Sequence, residues 1–242
     1  MRKRNSQLIY AFVKIFTEEC NAKAFIQGDL FMQTIRMFKD HKDKSGELRG
    51  DPMEGVVAWY QPDKIKVEID GLEIPSKDIA APIAMHSDAL LDKNAFCIYS
   101  LNSRDHDQIS KETISDFKRT LEVHEACYGL GAYCVAVLNA QEFINRCQRV
   151  IKEIDVNGSL GLVDYFDEAT FHGALPEERH GYQKRSLFKH QREYRVLLDF
   201  DKQPPNIYTM NIGDLSDITT GVITPDEFNK RLEVMLPDGS RA

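Results

Sequence analysis

The sequence lacks the features that mark several common protein classes. No apolar run reaches the roughly 18 residues that a membrane-spanning helix needs. The basic N-terminus leads into an apolar stretch, but Lys14 interrupts it and Glu18 follows without a small-residue cleavage site, so a secretory signal is not expected. The patterns HExxH, GxSxG and GxxxxGK[ST] are missing, which argues against zincins, serine hydrolases of the elbow type and P-loop enzymes.

Cysteine is scarce and unpatterned. The five cysteines are Cys20, Cys97, Cys127, Cys134 and Cys147. Their number is odd and no two have CxxC spacing, which predicts reduced thiols in a cytoplasmic protein, no structural disulfide and no metal site. The net charge of -7 argues against a protein that holds polyanions by bulk charge, although it leaves a local nucleic-acid groove open.

What remains is an ordinary globular composition. The chain has 242 residues, of which 42% are hydrophobic and 29% charged. It contains no internal repeat, no low-complexity tract and no clear interdomain linker. We therefore expect one α+β domain over residues 1–242.

Local patterns predict strands and helices in irregular alternation. Helical spacing of apolar residues predicts helices over 8–16, 22–27, 110–121, 139–154 and 224–235. Apolar stretches predict strands over 30–32, 56–60, 95–101, 133–138, 161–166 and 194–200. Residues 65–74 alternate around Asp70-Gly71, a strong two-residue turn, and predict a β-hairpin. The fold class is α+β, with a mixed or antiparallel sheet flanked by helices.

Arg49, Asp51 and Glu54 form a first concentration of charge, in the segment RGDPMEG. Pro52 keeps the residue before it out of the helical region, and glycines on both sides permit close approach of the backbone to a ligand. The segment is either a ligand-binding loop or a solvated turn.

A second concentration of charge, KRSLFKHQREYR, precedes an apolar strand. Strand periodicity places Gln191, Glu193 and Arg195 on one face. A carboxylate in that setting can stabilise the oxocarbenium-like charge that develops at a sugar anomeric carbon. The alternative is a charged edge strand held by cross-strand ion pairs. We expect Asp51, Glu54 and Glu193 to surround one cleft.

The two clusters together resemble an uncharacterised bacterial family that is common near phage-defence genes. That family has an Asp-Pro-x-Glu box followed by a lysine, an aromatic residue and E/Q-x-E-x-R. The matching positions here are Asp51, Pro52, Glu54, Lys184, Phe188, Gln191, Glu193 and Arg195. The usual box reads Phe-Asn-Asp-Pro-Phe-Glu, whereas this chain has Arg49-Gly50 before Asp51.

The Gln-x-Glu on a strand also resembles the catalytic strand of ADP-ribosyltransferases. This resemblance implies an ADP-ribosyltransferase-like fold and an NAD-dependent enzyme of the cytoplasm, a toxin or antiviral defence effector. The implied acceptor is a macromolecule, RNA, DNA or protein. The resemblance also implies an antitoxin or partner protein, and it implies no binding to a membrane. The implied catalytic residues are Glu193, Gln191 and Arg49, and the implied NAD-binding residues are Arg49, Asp51, Glu54, Lys184 and Tyr182.

Two other classes stay open at this point. One is a non-catalytic binding component of a defence complex, which would tolerate loss of the Glu193 charge. The other is a metal-dependent nuclease that holds Mg²⁺ with Asp51, Glu54 and Glu193.

Overall fold

The structure is a computed structural model that describes residues 7–42, 50–104, 106–201 and 205–242. Its strands are β1 (Ile9–Phe16), β2 (Asp29–Thr34), β3 (Val56–Tyr60), β4 (Val67–Ile69), β5 (Leu72–Ile74), β6 (Ile83–His86), β7 (Asn94–Asn102), β8 (Tyr133–Val137), β9 (Asn157–Leu162), β10 (Asp164–Phe166), β11 (Gly173–Ala174), β12 (Gln183–Arg185), β13 (Glu193–Asp199) and β14 (Ile207–Asn211). Its helices are α1 (Glu19–Ile26), α2 (Ile35–Asp40), α3 (Asp88–Leu91), α4 (Ile114–Leu121), α5 (Ala140–Glu153) and α6 (Pro225–Arg231).

Seven of these strands form the main sheet, and every pairing within it is antiparallel. The long strand β7 lies at its centre and pairs with β1 and β2 along one edge and with β13 along the other. Strands β8, β9 and β14 extend the sheet outward from β1, β13 and β2. Strands β3, β6 and β11 form a smaller antiparallel sheet, and β10 pairs with β12 in parallel. The predicted α+β class is confirmed.

One face of the main sheet packs against α1 and α5 to form the largest hydrophobic core. Phe25 of α1 and Phe143 of α5 lie against Phe12 of β1 and Phe96 of β7. Helix α5 begins where predicted, because the Asn139 side chain accepts a hydrogen bond from the Glu142 backbone at 3.0 Å.

The opposite face carries two separate hydrophobic clusters. Helices α4 and α6 cover the β1–β8 side with Phe117 and Phe228. Helices α2 and α3 cover the other end, where Ile35 and Leu91 belong to one hydrophobic cluster with Leu197 of β13. Charged side chains of β13 lie between these two clusters, and this interval holds the candidate site.

Strands β1 and β2 share one edge of β7 without meeting there. The β2 pairing ends at Ala95, and the β1 pairing begins at Tyr99. Residues 96–98 therefore have no strand partner on this edge among the described residues. A gap opens in the sheet beside the middle of β7.

The prediction of a helix over 8–16 is wrong, since this segment is β1. It lies between β7 and β8, and both of its faces are buried, by Phe12 on one side and Val13 on the other. A strand that is buried on both faces needs apolar residues at consecutive positions. It therefore lacks the alternation of apolar and polar residues that marks a strand with one face in solvent. Its β-branched and aromatic composition was the better signal. The last helix also ends at Arg231 rather than near 235.

The predicted hairpin is confirmed as β4 and β5. Asp70 and Gly71 occupy the turn with φ of 52° and 80°, the left-handed pair that such a tight turn requires. In the described part of the chain, no helix has the length and apolar character to cross a membrane. All five cysteines are unpaired.

Candidate active site

A cleft of about 410 Å³ opens at the gap between β1 and β2. Residues 13–17 of the β1 end form one wall, Phe31 and Gln33 of β2 form another, and the middle of β7 forms the floor. Glu54, Lys184, Gln191, Glu193 and Arg195 close the cleft from the β13 side. The volume lies in the range of about 300–1,000 Å³ that is typical of small-molecule sites.

The Asp-Pro-x-Glu box is a buried turn that aims Glu54 at the cleft. The Asp51 side chain accepts a hydrogen bond from the Met53 backbone at 2.9 Å, and its carbonyl accepts one from the Glu54 backbone at 2.8 Å. Asp51 and Glu54 are 1% and 2% exposed, so the alternative of a solvated turn is wrong.

The two glycines of this segment serve packing within the chain. A Cβ on Gly50 would lie 1.9 Å from the carbonyl oxygen of His41, and one on Gly55 would lie 2.8 Å from the Leu91 side chain. The expectation that both admit a ligand is therefore corrected, because the close neighbours are protein atoms.

Lys184 and Gln191 reach the same point from a short strand and a turn. Lys184 lies on β12, and the 3-10 turn Ser186–Gln191 folds back over it, so that its ammonium nitrogen lies 4.6 Å from the centre of the Phe188 ring. Arg192 then adopts a left-handed conformation (φ 46°), and β13 begins at Glu193. Gln191 is thus not on the strand, contrary to the expectation from strand periodicity.

Four charged side chains form one connected network, which we call the tetrad: Glu54, Lys184, Glu193 and Arg195. Arg195 donates to Glu193 Oε2 from Nε at 2.9 Å and from Nη2 at 2.8 Å, and to Glu54 Oε1 from Nη1 at 2.6 Å. Lys184 Nζ donates to Glu193 Oε1 at 2.6 Å and lies 3.5 Å from Glu54 Oε2. Two cations and two anions balance, so the tetrad is neutral.

Neighbouring groups fix the tetrad in place. Lys184 also donates to Gln191 Oε1 at 2.7 Å, and Arg195 donates to the carbonyl of Gly181 at 2.9 Å. The Glu193 backbone donates to the Tyr165 hydroxyl at 2.9 Å. Each member of the tetrad is at most 7% exposed. A carboxylate in such surroundings has little freedom to move.

Ion pairing within the tetrad keeps Lys184, Glu193 and Arg195 charged in spite of burial. Burial raises the pKa of Glu193, but Arg195 and Lys184 lower it by more, so that the pKa lies well below that of a free glutamate. Burial opposes the charge on Lys184, but Glu193 and Glu54 hold its pKa above that of a free lysine. Glu193 is therefore a buried carboxylate that is ionised at neutral pH.

Asp51 lies beside the tetrad rather than in it. Its Oδ1 accepts a hydrogen bond at 2.5 Å from Arg185, the residue after Lys184. Asp51 is not among the residues that line the cleft, whereas Glu54 and Glu193 are. The prediction of one cleft shared by the two charge clusters holds for Glu54 and Glu193, and Asp51 supports the wall behind them.

Two other predicted residues have different outcomes. Arg49 lies outside the described residues. Tyr182 is 5% exposed, does not line the cleft and donates from its hydroxyl to Ser159 Oγ at 2.7 Å. It packs beside Leu197 and Ile35, so the structure does not bring it to the cleft with Glu193.

Sequence reasoning missed the residues on the β1 and β2 sides of the cleft. Lys14 Nζ donates at 2.6 Å to the carbonyl of Cys97, on the edge of β7 that neither neighbouring strand covers. Phe31 projects from β2 with 53% of its surface exposed. A lone lysine in an apolar strand was the available signal for the first, and nothing local marked the second.

The carboxylates are poorly arranged for a cation. Every tetrad carboxylate oxygen lies within hydrogen-bond or ion-pair distance of Lys184 or Arg195, whose charges repel a metal ion. Within the residues that the structure describes, no group of three or more His, Cys, Asp or Glu side chains is placed to hold a metal. The geometry therefore gives the Mg²⁺ nuclease no support.

Comparison of the chain with protein-family models, curated proteins and solved structures gives no match.

Proposed function

We propose that this protein is a transferase that moves the ADP-ribosyl group of NAD to a macromolecular acceptor, with Glu193 as its catalytic carboxylate and an ADP-ribosyltransferase-like fold. The observation that carries the proposal is an ionised, buried and rigidly held carboxylate in the wall of a cleft of about 410 Å³. Fixed charges of this kind stabilise developing charge without reorganising during the reaction.

The reaction breaks the bond between the ribose anomeric carbon and the nicotinamide nitrogen. The bonding electron pair leaves with nicotinamide, and positive charge passes from the pyridinium ring to the ribose. Glu193 Oε1 accepts one hydrogen bond from Lys184, and Oε2 accepts two from Arg195. A carboxylate has about four acceptor positions, so Oε1 retains one for a ribose hydroxyl. The acceptor nucleophile then bonds to the anomeric carbon, and its proton passes to the solvent.

The other cleft residues have supporting roles in this proposal. Lys184 and Arg195 hold both oxygens of Glu193, and Glu54 fixes Arg195 from the opposite side. Gln191, whose carbonyl oxygen is held by Lys184, orients the acceptor. Arg49 binds the pyrophosphate as a bidentate donor. As an effector of this kind the protein acts in the cytoplasm, as a toxin or in antiviral defence, and an antitoxin or partner protein restrains it.

The decisive assay incubates the purified protein with NAD and a cell extract that supplies acceptors, and it measures the nicotinamide released above that of the extract alone. Wild-type protein should release nicotinamide, and Glu193→Asp should be slower by about 10² because it keeps the charge and moves it by one methylene group. Glu68→Gln, on the exposed hairpin strand β4, is the control for an unrelated loss of a carboxylate charge. A folded wild-type protein without any nicotinamide release would contradict the transferase and favour the non-catalytic binding component.

A further inference from the structure

We propose that the outer face of β2 and β14 binds the acceptor, and that the acceptor is a protein segment that is uncharged and apolar where it touches this face. This rests on the proposed function and names the acceptor class. The face, called the acceptor face below, consists of Asp29, Phe31, Gln33, Ile207, Thr209 and Asn211.

The acceptor face continues directly from the cleft. Phe31 and Gln33 line the cleft and point away from the hydrophobic core, which takes Leu30 and Met32 of the same strand. The register of β14 places Thr209 opposite Phe31 and Ile207 opposite Gln33. A chain that lies on β2 and β14 therefore reaches the cleft without crossing another element of the main sheet.

Two large apolar side chains are exposed on this face. Phe31 is 53% exposed and Ile207 is 50% exposed. They are diagonal neighbours across the strand pair, with Cα atoms about 7–8 Å apart. Adjacent exposed aromatic and aliphatic groups beside a polar rim are typical of protein-binding surfaces.

The charge of the acceptor face favours protein over nucleic acid. The face contains no lysine or arginine, and Asp29 is its one charged residue. Thr17 and Asn21 add uncharged polar side chains to the lining of the cleft. Nucleic-acid binding depends on cations that neutralise phosphates. The cationic side chains that line the cleft instead form hydrogen bonds to other groups of the protein, as Lys14 does to the carbonyl of Cys97.

Charge substitutions at Ile207 test this assignment, because Ile207 is exposed and does not line the cleft. The variants are Ile207→Asp and Ile207→Lys. Leu72→Asp and Leu72→Lys are the matched controls, since Leu72 is 75% exposed on the β4–β5 hairpin and also lies outside the cleft. Thermal melts establish that each variant is folded.

Each variant receives NAD labelled in its adenylate half and one of two acceptor probes. The first is nuclease-treated soluble protein from a cell extract, and the second is deproteinised RNA and DNA from the same cells. Nicotinamide release without any probe reports the reaction with water. We expect protein labelling, relative to the nicotinamide that the same variant releases to water, to fall about five- to tenfold below wild type in both Ile207 variants. The same ratio should equal that of wild type in both Leu72 variants.

Three results would overturn the assignment, and they are distinguishable. Labelling of nucleic acid that rises in Ile207→Lys and falls in Ile207→Asp would identify a polyanionic acceptor. Protein labelling that is unchanged in both Ile207 variants, with nicotinamide still released, would refute the assignment of the acceptor face but would not contradict the transferase. Absence of nicotinamide release from folded wild-type protein in the presence of either probe would refute the transferase and the acceptor face together.

Discussion

Glu193→Gln removes one of the two anionic charges of the tetrad while nearly preserving the shape of the side chain. Arg195 loses the charged partner of two hydrogen bonds, and Lys184 loses its 2.6 Å contact with a carboxylate. Glu54 then faces two buried cations alone. A charged strand face predicts a partly exposed Glu193, but the side chain is only 7% exposed, so we expect its substitution to lower stability.

The magnitude follows from the energetics of broken buried ion pairs. Removal of one partner typically costs about 3–5 kcal/mol because the remaining charge is buried without compensation. For a chain of this size each kcal/mol lowers the melting temperature by roughly 2–4 °C. We therefore expect Glu193→Gln to lower the melting temperature by roughly 6–20 °C.

A double substitution separates stability from chemistry. Lys184→Met in the Glu193→Gln background restores neutrality and leaves the Arg195–Glu54 pair intact. Since neutral replacement of a buried ion pair is often tolerated, we expect the double variant to regain at least half of the lost melting temperature while nicotinamide release stays at least about 10²-fold below wild type. Calorimetry and the nicotinamide assay measure the two quantities. A single variant that melts within about 3 °C of wild type would refute the buried, charge-coupled tetrad.

Three further predictions concern stability and thiols. The difference in unfolding free energy between wild type and Glu193→Gln should be constant over roughly pH 5–9 and shrink below about pH 4.3. The reason is that the native pKa of Glu193 is depressed, so only the wild type loses the stability contributed by this carboxylate as it becomes protonated. Urea titrations across pH test this, and a constant difference down to about pH 2 would contradict it. Gly131→Ala should destabilise the protein by about 1–3 kcal/mol, because its Cβ would lie 2.0 Å from the Phe16 carbonyl oxygen. The control Gly221→Ala should leave stability unchanged, because its Cβ would have no neighbour within 4 Å. Chemical denaturation compares the two variants. Denatured, unreduced protein should titrate five thiols, and native protein should react first at exposed Cys20; recovery of three would reveal a disulfide.

Features that depend on a few consecutive residues were predictable from the sequence. The turn at Asp70-Gly71 needs two left-handed residues. The capping box at the N-terminus of α6 needs only Thr224 and Glu227 at their fixed spacing. Strand β1 was not predictable in this way. Its double-faced burial depends on β7 and β8, which lie far along the chain, so the local pattern of apolar residues resembled a helix.

The candidate site was partly predictable for a similar reason. Concentrated charge beside predicted strands indicated that Glu54 and Glu193 share a cleft, and Arg195 bridges them across a long sequence separation. The cleft itself arises because β1 and β2 pair with different parts of β7, a long-range property. No local pattern therefore marked Phe31 or the contact of Lys14 with Cys97.

The position of the tetrad bears on the choice between a structural and a catalytic role. A neutral network that served only stability would gain nothing from a cleft, since well-packed apolar side chains are often as stabilising as a buried ion pair. Here the two hydrophobic clusters on the same face of the sheet stop on either side of the tetrad. The cleft opens onto its carboxylates at the gap between β1 and β2. The network holds Glu193 ionised and fixed at the wall of the cleft, and this placement supports the proposal that chemistry takes place at that carboxylate.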